Sequence, residues 1–142
     1  MRRAVRAAVK PYGLPADARL TVAFIDDDRM RELNRRYRRT DRTTDVLSFG
    51  QPLGRTKGEK AVRKLARDAD GDLDVGDVVI SGVQARRQAR RRGHPLAREV
   101  AFLAAHGALH LLGFDDATPA GYREMVRLGT AATEAGMAAS RR

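Results

Sequence analysis

The sequence predicts an α/β fold on three observations. Runs of strand formers alternate with segments of helical pattern. One helix in the last third is far more apolar than the others. The 142 residues, 42% of them hydrophobic, are enough for one core. A single domain over residues 1–142 is the expected organisation. No apolar run approaches the roughly 18 residues needed to cross a bilayer. The basic start of the chain has no continuous apolar stretch behind it, so neither a membrane role nor a secretory signal is expected. The chain has no cysteine, which excludes a disulfide scaffold, a thiolate nucleophile and a Cys-ligated metal, and fits a cytoplasmic setting. Any metal must be held by His, Asp or Glu.

The elements follow in order. A first helix is predicted over Arg2 to Val9, stopped by Pro11, which cannot continue the hydrogen-bond ladder. Leu20 to Ile25 is rich in strand formers. Asp26, Asp27 and Asp28 then offer capping carboxylates to a helix carrying Met30 and Leu33. Thr44 to Phe49 and Val75 to Ile80 are two further strands, and Ser81 can cap the helix Gly82 to Arg92. Between those strands, Gln51 to Asp74 reads as an exposed excursion with a charged helical piece around Glu59 to Arg67. Its Asp68-Ala69-Asp70-Gly71-Asp72 run imitates a calcium loop. The sixth position of such a loop would be Leu73 rather than Gly and the twelfth Val79 rather than Glu, so it is read as a solvated acidic turn. Pro95 suits the first turn of the apolar helix Leu96 to Leu112, Gly113 can end that helix in the left-handed conformation, and Thr118-Pro119 opens a last helix.

Charge points to a polyanion. The net charge is +10, and residues 1–98 hold 24 basic and 13 acidic side chains against four and five in residues 99–142. Seven aromatics and no Trp argue against a base-stacking platform, so phosphate contacts should dominate any RNA binding. Arg35, Arg36, Arg38, Arg39 and Arg42 form one basic cluster, and Arg86, Arg87, Arg90, Arg91 and Arg92 another. Both are assigned to RNA backbone contacts, with a solvated face as the alternative for the second.

Chemistry centres on His106 and His110. Four apart on a helix, they differ by about 40° in azimuth and about 6 Å in rise, so both imidazoles leave one face. An apolar helix is a poor place for two imidazoles without partners, and one metal ion would serve both. The chain can reverse at Gly113, and a carboxylate beyond it can return. His106-x3-His110-x5-Asp116 is therefore a three-ligand set with an open position. A satisfied core histidine pair is the alternative. The HExxH pattern of zinc proteases places its general base directly after the first histidine; here Gly107 stands there, which disfavours peptide hydrolysis. His94, before Pro95, is read as a surface or capping residue.

The run His106-Gly107-Ala108-Leu109-His110-Leu111-Leu112-Gly113-Phe114-Asp115-Asp116 resembles the HGxLHLxGxDH signature of the YbeY family of metal-dependent endoribonucleases. Leu33-Asn34-Arg35-Arg36-Tyr37-Arg38 with Thr43 to Phe49 resembles that family's LNxxYRxxDxPTDVLSF block, with Thr43 where proline is usual. Gly76 to Ser81 resembles its GDIVIS strand, and Met125 stands nine residues after the third candidate ligand.

The resemblance implies an α/β fold with a small mixed sheet under helices and one Zn2+ held by three side chains. It implies cleavage of single-stranded RNA, maturation of the 3′ end of small-subunit (16S) ribosomal RNA, and late ribosome quality control in the bacterial cytoplasm. The implied partners are ribosomal RNA and the small ribosomal subunit, with no membrane and no DNA role. It singles out Arg38 as important for activity. Three departures stand out. Asp116 replaces the family's third histidine, the chain starts almost at the first helix where the family opens with a strand, and Gly129 lies near where a family glutamate is frequent. Two rival readings remain: a ribosome-associated RNA-binding protein with a structural or lost metal, and a two-His-one-carboxylate iron oxygenase. The second lacks its usual β-barrel setting.

Overall fold

A computed structural model describes residues 1–38 and 44–140, with the side chains of 38, 139 and 140 left out. Its elements are α1 (Arg2–Val9), β1 (Arg19–Ile25), α2 (Asp27–Arg38), β2 (Val46–Gly50), α3 (Glu59–Lys64), β3 (Asp74–Ser81), α4 (Gly82–Arg92), α5 (Leu96–Leu111) and α6 (Pro119–Ser140). The three strands form one mixed sheet in the order β1-β3-β2. β1 runs parallel to β3, with Val22 opposite Val78 and Phe24 opposite Ile80. β2 runs antiparallel to β3, with Val46 opposite Ile80 and Gly50 opposite Gly76. Val75, Val78 and Ile80 of the central strand are fully buried.

α5 is the axis of the molecule. It packs on β2 and β3 on one side and on α1, α4 and α6 elsewhere. Its buried set is mostly small (Ala101, Ala104, Ala105, Ala108), interleaved with Leu103, Leu109 and Leu111. Small side chains let neighbouring backbones come close, and each buried leucine adds about 1.5–3 kcal/mol of apolar transfer. α1 answers in kind, burying Ala4 and Ala8 against α5 and α6.

The predicted caps are present. Asp26 Oδ1 accepts the Arg29 N–H at 2.8 Å at the head of α2. Ser81 Oγ accepts the Gln84 N–H at 3.2 Å and donates to Asp27 Oδ1 at 3.1 Å, joining the heads of α4 and α2. The last helix runs further than its opening motif indicated, ending at Ser140. The segment between β2 and β3 is less exposed than its polar composition predicts. It buries Leu53, Ala61 and Leu73, and Gln51 staples its two ends through Nε2 to Ala66 O (3.0 Å) and Asp74 O (2.9 Å). Three apolar residues among many polar ones suffice to dock it. Among the described residues, no helix is long and apolar enough to cross a membrane.

Candidate metal centre

His106 and His110 occupy successive turns of α5, and their rings meet edge-on with centroids 4.8 Å apart. The two Nε2 atoms lie 3.2 Å from one another. Asp116 Oδ2 completes the triangle, 3.7 Å from His106 Nε2 and 3.8 Å from His110 Nε2. Three ligands of one tetrahedral ion at bond lengths of about 2.0–2.1 Å sit roughly 3.3 Å apart. The donor types and their spacing therefore fit a small cation such as zinc. The histidines are mostly covered, at 14% and 21% side-chain exposure, while Asp116 is 40% exposed. The triad thus stands on a buried base with one open side.

Gly107 explains how α5 reaches this position. A Cβ there would lie 2.4 Å from Val78 Cγ1, so the helix touches the central strand at this residue. Ser48 Oγ fixes the contact from β2 by donating to Gly107 O at 3.0 Å. The position that carries the general base in HExxH enzymes therefore faces the sheet, and no glutamate side chain fits there.

The turn that returns Asp116 is pinned at several points. Gly113 adopts φ 90°, which a residue with a side chain rarely takes up. Its N–H donates to His110 O at 3.0 Å, and that of Phe114 donates to Leu109 O at 3.2 Å. The Phe114 ring is buried against Tyr12, at 5.3 Å between centroids; burial, with Glu124 nearby, raises the Tyr12 phenol above its usual range. Lys57 Nζ lies over the Phe114 ring, 5.7 Å from its centroid, and binds Glu124 of α6 at 2.7 Å. Asp115 Oδ1 accepts the Ala117 N–H at 3.1 Å. Asp115 is thus the residue that shapes the turn, and Asp116 the one that faces the histidines.

The triad forms one wall of a cleft of about 290 Å³ whose other wall is β2 and its approach, from Asp45 to Gln51. Arg35 and Arg36 are exposed on α2. The side chain of Arg38, and all of Arg39, Arg42 and Thr43, lie outside the described residues. Arg86, Arg87, Arg90 and Arg91 are exposed on α4, and Arg87 also pairs with Asp27 at 3.7 Å.

His94 departs from its expected surface role. Its Nε2 lies 2.7 Å from Oε1 of Glu99, a carboxylate with no solvent exposure, and Arg92 approaches both Glu99 oxygens at 3.4 Å. Sequence reasoning did not single out Glu99. The available signal was its place in the first turn of the most apolar helix, seven residues before His106, where a burial-compatible partner had to exist.

The family model described as Endoribonuclease YbeY matches residues 1–135. The chain belongs to the YbeY family. A YbeY endoribonuclease of Moorella thermoacetica is 44% identical over 126 residues, covering 88% of this chain and 77% of the relative. One from Pelotomaculum thermopropionicum is 44% identical over 119 residues, covering 81% and 70%. One from Geobacillus thermodenitrificans is 39% identical over 127 residues, covering 83% and 72%. A solution structure of a Thermotoga maritima protein superposes with a TM-score of 0.62 over 99% of this chain and 81% of that one, at 23% identity, and supports the fold. Against the YbeY motif, Asp116 offers a carboxylate oxygen where the histidine would offer a ring nitrogen. Gly129 makes room for Phe102: a Cβ there would lie 3.1 Å from the ring, which itself sits 5.9 Å from the His106 ring.

Proposed function

We propose that this chain, acting as one domain, is a zinc-dependent endoribonuclease that cleaves single-stranded RNA. Its place is in 3′-end maturation of small-subunit ribosomal RNA and late ribosome quality control, with the small subunit as partner and the cytoplasm as location. The observation that carries the reading is the convergence of His106, His110 and Asp116 on one point at the wall of an open cleft. Family membership supplies the reaction class.

Zinc, when bound, supplies a Lewis acid for a phosphoryl oxygen and acidifies water at neutral pH. The remaining tasks fall to the chain. His106 and His110 hold neutral imidazoles toward the ion, and Asp116 offsets part of its charge. Arg38, at the end of α2, is assigned to clamp the scissile phosphate in bidentate fashion and stabilise the charge that develops there. Arg35, Arg36, Arg39 and Arg42, with Arg86, Arg87, Arg90 and Arg91, are assigned to hold the RNA backbone through phosphate contacts, which makes affinity fall steeply with salt.

The test is cleavage of matched single- and double-stranded RNA by zinc-loaded wild type, His110→Ala and Arg38→Ala. Selective cleavage of the single strand, abolished in His110→Ala and reduced roughly 100-fold in Arg38→Ala with zinc retained, is the expected result. RNA binding without cleavage in the zinc-loaded wild type would make the chain an RNA-binding protein. Equal activity of Arg38→Ala and wild type would remove the arginine from the mechanism.

A further inference from the structure

A second cavity, of about 430 Å³, adjoins the metal cleft, and His106, Asp116 and Asp45 line both. The composition of its remaining wall differs from that of the first. Arg92 and His94 contribute from the end of α4 and the link after it, Phe102 from α5 and Tyr122 from α6. Tyr122 is 56% exposed, one of the few large aromatic side chains left in solvent. Arg92 is 53% exposed, yet its guanidinium is tethered from behind by Glu99. The Glu99 carboxylate is fully buried and is shared with His94, so Arg92 is held in place while keeping N–H donors for a further acceptor. Arg98 also lines this cavity and is paired with Glu134, but it is only 31% exposed, so Arg92 is the more accessible cation.

An arginine held by a buried acid and an exposed aromatic ring, lining one cavity that shares His106 and Asp116 with the metal triad, is the chemistry of a nucleotide pocket. We propose that this cavity is a nucleotide subsite, in which Arg92 grips a phosphate adjacent to the scissile one and Tyr122 stacks on the attached base. The two carboxylates in the shared wall are turned to other partners. Asp116 faces the histidines, and Asp45 Oδ2 accepts from Gln88 Nε2 at 2.8 Å. The inference rests on the nuclease reading, and it adds a specific contact on one side of the cleavage point, where the other arginines of α2 and α4 supply only general attraction. Ring stacking tolerates any base, so the subsite would favour RNA ends and loops whose bases are unstacked, without reading sequence.

The probes are adenosine 5′-monophosphate and inorganic phosphate, titrated into zinc-loaded wild type, Tyr122→Ala and Arg92→Ala, with zinc content and thermal unfolding measured for each. The expected result is tighter binding of adenosine monophosphate than of phosphate by the wild type. Tyr122→Ala should weaken the nucleotide about tenfold while leaving phosphate unchanged, since a stacked base is typically worth that much. Arg92→Ala should weaken both. Equal affinity of wild type and Tyr122→Ala for adenosine monophosphate would overturn the subsite, even in a protein that cleaves RNA. Nucleotide binding that depends on both residues would uphold the subsite even if the same preparation failed to cut RNA, in which case only the nuclease reading would fall.

Discussion

Among the described residues, two places bring three potential metal ligands within 4.8 Å of one another: His106, His110 and Asp116, and Asp68, Asp70 and Asp72. Only the first stands on largely covered side chains, His106 and His110. In the acidic turn all three residues are exposed, and two of the three carboxylates already have partners. Asp68 Oδ1 accepts the N–H groups of Asp70 (2.9 Å) and Asp72 (3.0 Å), and Asp72 pairs with Arg19 at 2.7 Å. In the triad the donor atoms point at one another from a buried helix and a pinned turn. Proximity of ligand types is common; donors held together at their own expense, on a rigid base, are what distinguish a site.

If that comparison is right, disturbing the base of the triad should cost far more than disturbing the acidic turn. The largest effect is expected for Gly107→Glu. It would push a side chain into Val78 and bury a charge without a partner, at a cost of about 4 kcal/mol or more, seen as loss of cooperative unfolding in denaturant. Next comes His94→Ala, which strips the 2.7 Å partner from the fully buried Glu99. A hydrogen bond to a buried charge is worth about 1.5–3 kcal/mol, and the midpoint of urea unfolding should fall accordingly with little change in slope. Asp68→Ala removes two turn hydrogen bonds at the surface and should cost roughly 0.5–1.5 kcal/mol in the same measurement, without altering metal content.

The smallest effect concerns Asp17, whose carboxyl is held below its usual range by the hydrogen bond from Arg67. A depressed folded-state value gives stability that is present above the unfolded carboxylate range and is lost as pH falls through the folded value. Arg67→Ala should therefore lose a small increment near neutral pH, and the gap to wild type should narrow at low pH, where only the Arg67 bond to Gly71 O still separates them. A difference that grows on acidification would contradict the assignment.

Much of this was legible in the chain. The helix Arg2–Val9 and the helix Gly82–Arg92 were bounded by Pro11, Ser81 and Gly93, residues whose backbone chemistry is local. The spacing of His106 and His110 and the reversal at Gly113 similarly fix the triad, because helix periodicity and a left-handed cap do not depend on distant neighbours. What was not legible depends on long-range packing. Gly107 could be read as a missing base, but its contact with Val78 is a tertiary fact. His94 read as a surface residue because nothing local indicates that Glu99 is buried and turned back toward it. The docking of Leu53, Ala61 and Leu73 was masked by the polar residues around them. The second cavity joins residues from α4, α5 and α6 that no sequence window contains together.

The triad is expected to bind one metal ion and the acidic turn none. Zinc content per chain, measured by elemental analysis after exhaustive dialysis, tests it directly in wild type, His110→Ala, Asp116→Ala and Asp70→Ala. About one zinc is expected in wild type and in Asp70→Ala, none in His110→Ala, and a clear loss in Asp116→Ala. Full zinc in both His110→Ala and Asp116→Ala, or its loss in Asp70→Ala, would contradict it.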